Sequence, residues 1–174
     1  MDEIFIEHLI KRKKSNKDIA TIIFLIAGGL IFTPMAIYFT FTLQYLGYLF
    51  LIMLFAIWWC IIYLIKSKTV EYEYIFTNGT LDIDMIIAGG RRGRVISISP
   101  AEMERIAPID VPYDGQFKTL NCSTKDENDD LYYIITQRHD VGTVRVLFNP
   151  TEEMMDAFKI FRPSKVMTGD EKDA

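Results

Sequence analysis

A run of 47 residues without a charged side chain or a histidine, from Ile19 to Ile65, constrains this chain more than any other feature. As one continuous helix the run would extend for about 70 Å, at about 1.5 Å per residue. The apolar core of a bilayer is only about 30 Å thick and is crossed by about 20 residues. The run therefore predicts a transmembrane hairpin over 19–65, with spans at about 19–38 and 45–65.

Basic residues flank this hairpin, whereas the connection between its spans carries no charge. Five precede the first span and two follow the second: Lys11, Arg12, Lys13, Lys14, Lys17, Lys66 and Lys68. Lysine and arginine near the ends of spans favour the cytoplasmic side of the membrane. We therefore predict a multi-pass protein of the cell membrane with both termini in the cytoplasm.

The segment before the hairpin, residues 1–18, is basic and amphipathic. Its apolar side chains, among them Ile4, Phe5 and Leu9, are interleaved with acidic and basic ones. This spacing predicts a short amphipathic helix on the inner leaflet. The adjacent basic run would favour anionic lipid.

A β-hairpin is predicted directly after the second span, over Val70 to Ile87. Asn78-Gly79 is a favoured pair for a two-residue turn of type I′. This turn determines which residues of the two strands pair, and the resulting pairs bring apolar side chains together on one face. The predicted pairs are Phe76 with Leu81, Tyr74 with Ile83, and Tyr72 with Met85.

The glycine- and arginine-rich stretch "AGGRRGR", Ala88 to Arg94, follows this hairpin. The alternating run after it places Ile96 and Ile98 on the same apolar face, so the stretch is predicted to be a turn with its arginines at the tip. No Gly-Lys-Ser/Thr follows, which excludes a Walker phosphate loop. Two interpretations stay open, a plain turn and a lipid-headgroup or phosphate contact by three arginines: Arg91, Arg92 and Arg94.

Four carboxylates alternate with the apolar residues of the hairpin and so share its opposite face: Glu71, Glu73, Asp82 and Asp84. Like charges placed opposite each other in a sheet are destabilising. This face is a candidate surface for a basic partner, a cation or a catalytic proton. The alternative is a solvated outer face.

Further short strands are predicted at 103–107, 116–122, 131–138 and 143–148. A helix is predicted from Thr151 to Phe161, because an N-cap residue precedes an apolar stripe that includes Met154, Met155 and Phe158. The acidic loop around 123–130 lacks the spacing of a calcium loop. We assign the soluble domain to 66–166 and a disordered tail to 167–174.

Three stretches carry a resemblance to a known family: "EHLIKRKKSNKD", "YEYIFTNGTLDID" and "FNPTEEMMDAF". The chain resembles bacterial membrane proteins that have two spans and a C-terminal pleckstrin-homology-like (PH-like) cytoplasmic domain. The resemblance implies an α+β protein in which a transmembrane hairpin precedes a small antiparallel β-sandwich or barrel with a C-terminal capping helix. It implies a scaffold for binding lipid, peptide or protein, and it brings no catalytic residues.

The function expected from the sequence is binding rather than catalysis. The chain contains no zinc-protease, paired-cysteine, nucleophile-elbow or phosphate-loop motif, so we expect no catalytic residue, metal or cofactor. Residues 66–174 carry a net charge of −5, which argues against nucleic acid. We predict an integral membrane protein that presents a cytoplasmic binding or assembly module to a protein partner. The alternatives are an accessory subunit whose hairpin packs against a larger membrane complex, and a sensor of anionic lipid. The oligomeric state stays open.

Overall fold

A computed structural model describes residues 4–43, 45–124, 130–138 and 142–167 of the chain. The chain divides into two compact units. One comprises residues 1–13, 71–86 and 90–174, and the other comprises 14–70 and 87–89. The first unit contains two four-stranded sheets and a helix, whereas the second contains two long apolar helices.

The helical unit consists of α1 (Asn16–Thr42) and α2 (Gly47–Ser67). Both helices are long and apolar enough to cross a membrane. The predicted pair of apolar helices is therefore confirmed. α1 extends beyond its predicted bounds at both ends, whereas α2 is shifted by two residues towards the C-terminus. A capping box begins α1, in which the Asp18 carboxylate accepts from the backbone N–H of Ser15 at 3.2 Å. This contact satisfies one of the amide groups at a helix start that have no partner within the helix.

A small residue and one polar contact bring the two helices together. A Cβ atom on Gly29 would lie 2.9 Å from the side chain of Ile61, so glycine permits the close approach. The indole N–H of Trp58 donates to the Thr33 hydroxyl at 3.1 Å. Small residues and interhelical hydrogen bonds are the usual means of packing helices in lipid.

The first sheet has the strand order β1-β2-β3-β4. Its strands are β1 (Phe5–Lys11), β2 (Val70–Thr77), β3 (Thr80–Ile87) and β4 (Arg91–Ile98). Asn78 and Gly79 both have positive φ, 48° and 93°, as the predicted turn requires. The predicted apolar face is buried, apart from Met85, which is half-buried: Tyr72, Tyr74, Phe76, Leu81, Ile83, Ile96 and Ile98.

The predicted amphipathic helix before the hairpin is wrong, because residues 5–11 form β1. This strand pairs antiparallel with β2, placing Leu9 opposite Glu73 and Lys11 opposite Glu71. Ile10 is buried opposite Tyr72, which is the period-two alternation of a strand. The strand domain therefore begins before α1, the helices are inserted between β1 and β2, and the boundary predicted at residue 66 leaves β1 out.

The second sheet has the order β5-β7-β8-β6. Its strands are β5 (Met103–Pro108), β6 (Lys118–Asn121), β7 (Tyr132–Arg138) and β8 (Gly142–Phe148). The predicted β7–β8 hairpin is confirmed. β6 pairs with β8 in the parallel direction, so this sheet is mixed and departs from the antiparallel arrangement expected.

The C-terminal helix α3 (Glu152–Phe161) forms as predicted. The Thr151 hydroxyl accepts from the backbone N–H of Met154 at 3.2 Å and caps it. The buried ring of Phe158 lies edge-on to Phe76 of the first sheet at 4.8 Å and to Phe148 of the second at 6.2 Å. α3 therefore closes the core shared by the two sheets, as expected for a PH-like fold.

Tyrosine hydroxyls also join the two sheets. The Tyr74 hydroxyl donates to the carbonyl of Cys122 at 2.8 Å and accepts from the backbone N–H of Asn149 at 3.2 Å. The Tyr72 hydroxyl donates to the carbonyl of Asn121 at 3.1 Å. Burial raises the pKa of both phenols, and it raises the pKa of the Cys122 thiol to about 12.

Three predicted segments lie partly or wholly outside the described residues. These are the acidic loop at 125–129, the β7–β8 turn at 139–141, and the tail at 168–174. Met167, predicted to begin the disordered tail, is held by its backbone N–H, which donates to the carbonyl of Ile106 at 2.8 Å.

Candidate functional site: the charged face of the first sheet

The glycine- and arginine-rich stretch forms a turn followed by a strand. Ala88 and Gly89 adopt positive φ, 56° and 70°, and β4 begins at Arg91. The arginines therefore lie on the strand, and the prediction that they sit at the tip of the turn is wrong. The turn needs only three residues, so strand structure continues through Arg92 and Arg94.

Arg92 and Arg94 reach the carboxylates that the sequence analysis had assigned to a separate surface. Arg94 lies 2.6 Å from Asp84 through Nε and 2.9 Å from Asp82 through Nη1. Arg92 pairs with Glu73 and lies 3.5 Å from Asp84. The two predicted sites are thus one surface, here called the charged face: Lys11, Glu71, Glu73, Asp82, Asp84, Arg92 and Arg94.

Glu73 and Asp84 are the buried centre of the charged face. Each side chain is only 8% exposed, whereas each arginine is 51% exposed. Two buried carboxylates side by side would repel each other and lose hydration, so the arginines compensate both effects. The hydrogen bond to Asp84 raises the pKa of Arg94, with the charge of Asp82 acting in the same direction.

The charged face is close to neutral as a whole. Lys11 adds a pair with Glu71 at 3.5 Å, so four carboxylates oppose three cations. Such a face is neither a basic patch for anionic lipid nor an acidic patch for a cation. Across the part of the chain that the structure describes, no group of three or more His, Cys, Asp or Glu side chains could hold a metal.

An apolar border runs along the charged face on the edge strand β1. Phe5 and Leu9 share the face through their pairing with Thr77 and Glu73, and they are 60% and 48% exposed. Outside the helical unit, only two other large hydrophobic side chains of the described residues are exposed, Ile109 and Ile160. This border was not predicted, because residues 1–18 were expected to form a helix; the alternation from Phe5 to Lys11 was the signal in the sequence.

Arg91 differs from its two neighbours. It is exposed and makes no ion pair with the residues described here. The turn before it lies beside the segment that follows α2, because the backbone N–H of Ala88 donates to the carbonyl of Thr69 at 3.0 Å. Arg91 therefore does not belong to the charged face.

A family model described as "Bacterial PH-like domain (DUF6106)" matches residues 2–168. The match includes β1 and both apolar helices, so it covers nearly the whole chain rather than a C-terminal part alone. Comparison with curated proteins and with solved structures gives no match.

Proposed function

We propose that this chain, which belongs to the bacterial PH-like domain family, is an integral membrane protein that presents a protein-binding surface to the cytoplasm. The observation that carries the proposal is the charged face with its apolar border. Ion pairs between half-exposed arginines and buried carboxylates fix the charges of β2, β3 and β4, and exposed Phe5 and Leu9 flank them on the edge strand.

The pairing of β1 with β2 supports the proposed topology. The two strands are neighbours in one sheet, and α1 and α2 lie between them in the chain. If both helices cross the bilayer, the chain returns to the side from which it left, so β1 and β2 meet on the same side. The basic residues next to the helices select the cytoplasm as that side.

A protein suits this surface better than a lipid. Interfaces combine exposed apolar anchors with charges whose positions are fixed, which give specificity more than affinity. As an edge strand, β1 can also offer backbone groups to an added strand. We propose no catalysis at this face, because its carboxylates are engaged in ion pairs.

Site-specific photo-crosslinking in native membranes tests the proposal. A photoreactive residue at Leu9 is expected to capture a protein, whereas the matched control at Ile160, which is also exposed, is not. A third probe at Phe24 on α1 tests the accessory-subunit alternative. Protein adducts from Phe24 but not from Leu9 would favour that alternative, and equal adducts from Leu9 and Ile160 would contradict the proposed surface.

A second candidate function is weak contact with anionic lipid through Arg91. The hydrogen bond between Ala88 and Thr69 favours it, because Thr69 lies two residues after the end of α2. A single arginine adds about 1 kcal/mol of attraction near an anionic surface.

A further inference from the structure

A second pair of arginines lies on the second sheet, away from the charged face. Arg105 of β5 and Arg145 of β8 both pair with Ile135 of the strand between them. The three residues therefore form one cross-strand row, with the arginines two strands apart. Strands are spaced about 4.8 Å apart, so the two Cα atoms lie within about 10 Å, and two long side chains can reach one ligand.

Aromatic rings lie beside both guanidinium groups. The Cζ atom of Arg145 lies 4.7 Å from the ring centre of Phe117 and 5.9 Å from that of Tyr133. The Cζ atom of Arg105 lies 6.0 Å from the ring centre of Tyr113, whose centre is 6.0 Å from that of Phe117. Cation–π contacts hold a guanidinium in place without neutralising its charge.

The charges of Arg105 and Arg145 both influence the pKa of one tyrosine. Burial raises the pKa of Tyr133, while the charges of both Arg105 and Arg145 act in the opposite direction. Both guanidinium groups therefore lie close enough to one phenol to influence it.

Neither arginine is paired with a carboxylate of the described residues, unlike Arg92 and Arg94 on the charged face. Both are half-buried, and the Nε atom of each is buried without an acceptor in that part of the chain. Within the described residues, the Arg105 side chain makes one hydrogen bond, from Nη2 to the weakly accepting sulfur of Met167 at 2.8 Å. Buried polar groups normally have partners, so two charges without one need an explanation.

We infer that Arg105 and Arg145 form a binding site for a phosphate monoester, framed by Tyr113, Phe117 and Tyr133. A phosphate monoester carries a charge of about −1.5 to −2 at neutral pH, which matches two guanidinium groups. Each guanidinium can donate two parallel hydrogen bonds to phosphate oxygens. The phosphate can come from a soluble metabolite or from the headgroup of phosphatidic acid. The site lies on the other sheet from the proposed protein-binding surface and is independent of it.

Ligand titration of the full chain in neutral detergent tests this site, with phenyl phosphate as the probe and calorimetry as the readout. We expect saturable binding that is at least about tenfold weaker in Arg145→Gln. Arg145→Lys keeps the charge but loses the fork geometry, so it should bind with intermediate affinity. Arg91→Gln is the matched control and should bind like the wild type. Circular dichroism shows whether each variant is folded. If Arg145→Gln is unfolded, the affinity of Arg145→Lys serves as the test instead.

The source of the phosphate is tested in nanodiscs of phosphatidylcholine with and without phosphatidic acid. Competition between phosphatidic acid and phenyl phosphate would identify the headgroup, and unchanged binding of phenyl phosphate would identify a soluble ligand. Absence of saturable binding to the wild type would overturn the inference. Equal affinity in the wild type and a folded Arg145 variant would overturn it as well.

Discussion

Two arginines in one sheet and two in the other have opposite electrostatic surroundings. Arg92 and Arg94 of the first sheet are neutralised by carboxylates that are themselves buried. Arg105 and Arg145 of the second sheet lie against aromatic rings and keep their charge uncompensated among the described residues. An arginine on a sheet can therefore neutralise a buried carboxylate, or it can lie against aromatic rings and keep its charge.

The largest expected effect concerns how the first sheet is assembled, because one of its strands precedes the helices. Replacing residues 14–69 with Asn-Gly joins β1 to β2 through a short hairpin loop, and the joined domain should fold and be soluble. A fragment of residues 70–167 lacks β1 and should lose more than about 3 kcal/mol of unfolding free energy, because Ile10 and the β1–β2 ladder are removed. Urea unfolding of both proteins measures the difference, and equal stability would show that β1 is dispensable.

The arginines of the two sheets should differ in their contribution to stability. Arg92→Gln with Arg94→Gln leaves Glu73 and Asp84 buried without cations. The unfolding free energy should fall by about 3 kcal/mol, which is at the low end for a broken buried ion pair because the arginines are half-exposed. Arg105→Gln with Arg145→Gln removes cation–π contacts and the contact of Arg105 with the Met167 sulfur. This double variant leaves no carboxylate without a cation, so it should lower the unfolding free energy by only about 1 kcal/mol per arginine. Both costs are measured by urea unfolding of the joined domain.

A rescue experiment separates charge from packing in the first sheet. Adding Glu73→Gln and Asp84→Asn to the first double variant removes the uncompensated charges, so most of the lost stability should return. Equal losses of unfolding free energy in the two double arginine variants, or no recovery in the quadruple variant, would contradict the difference drawn between the two sheets.

Alkaline pH should lower the unfolding free energy of the joined domain, because the thiol of Cys122 is buried. The pKa of Cys122 rises from 9.0 to about 12 on burial, so the unfolded chain loses this proton at lower pH than the folded chain does. The stabilisation by the buried, protonated Cys122 thiol is therefore complete below about pH 9 and is lost as the pH rises towards about 12. Urea unfolding from about pH 7 to about pH 11 should show this fall. Cys122→Ala should reduce the slope, and an unchanged slope would contradict the assignment.

The smallest expected effect is that of Arg91. Arg91→Gln should change the unfolding free energy by less than about 0.5 kcal/mol, because the side chain is exposed and unpaired among the described residues. It should reduce the anionic lipid that co-purifies with the full chain, and added salt should abolish the difference. Lys159→Gln on α3 is the control, and an equal reduction there would exclude a specific role for the turn.

Local patterns were enough to predict much of this fold. The uncharged run predicted α1 and α2, because apolar length alone decides whether a helix can cross a bilayer. Asn78-Gly79 predicted the β2–β3 hairpin, and the stripe around Phe158 predicted α3, because turn chemistry and periodicity act within a few residues. The acidic residues and arginines of the charged face were each identified, but as two separate surfaces.

The remaining features depend on partners far apart in the chain. β1 pairs with β2 although some sixty residues, most of them in α1 and α2, separate the two strands in the chain. The apolar alternation of β1 was too short to exclude a helix. β6 pairs in parallel with β8 rather than with a strand next to it in sequence. Arg92 and Arg94 meet Glu73 and Asp84 only after three strands align, and Arg105 meets Arg145 only through Ile135. Side chains fix a local turn or helix, but which charge is neutralised and which stays available is decided when strands from distant segments come together.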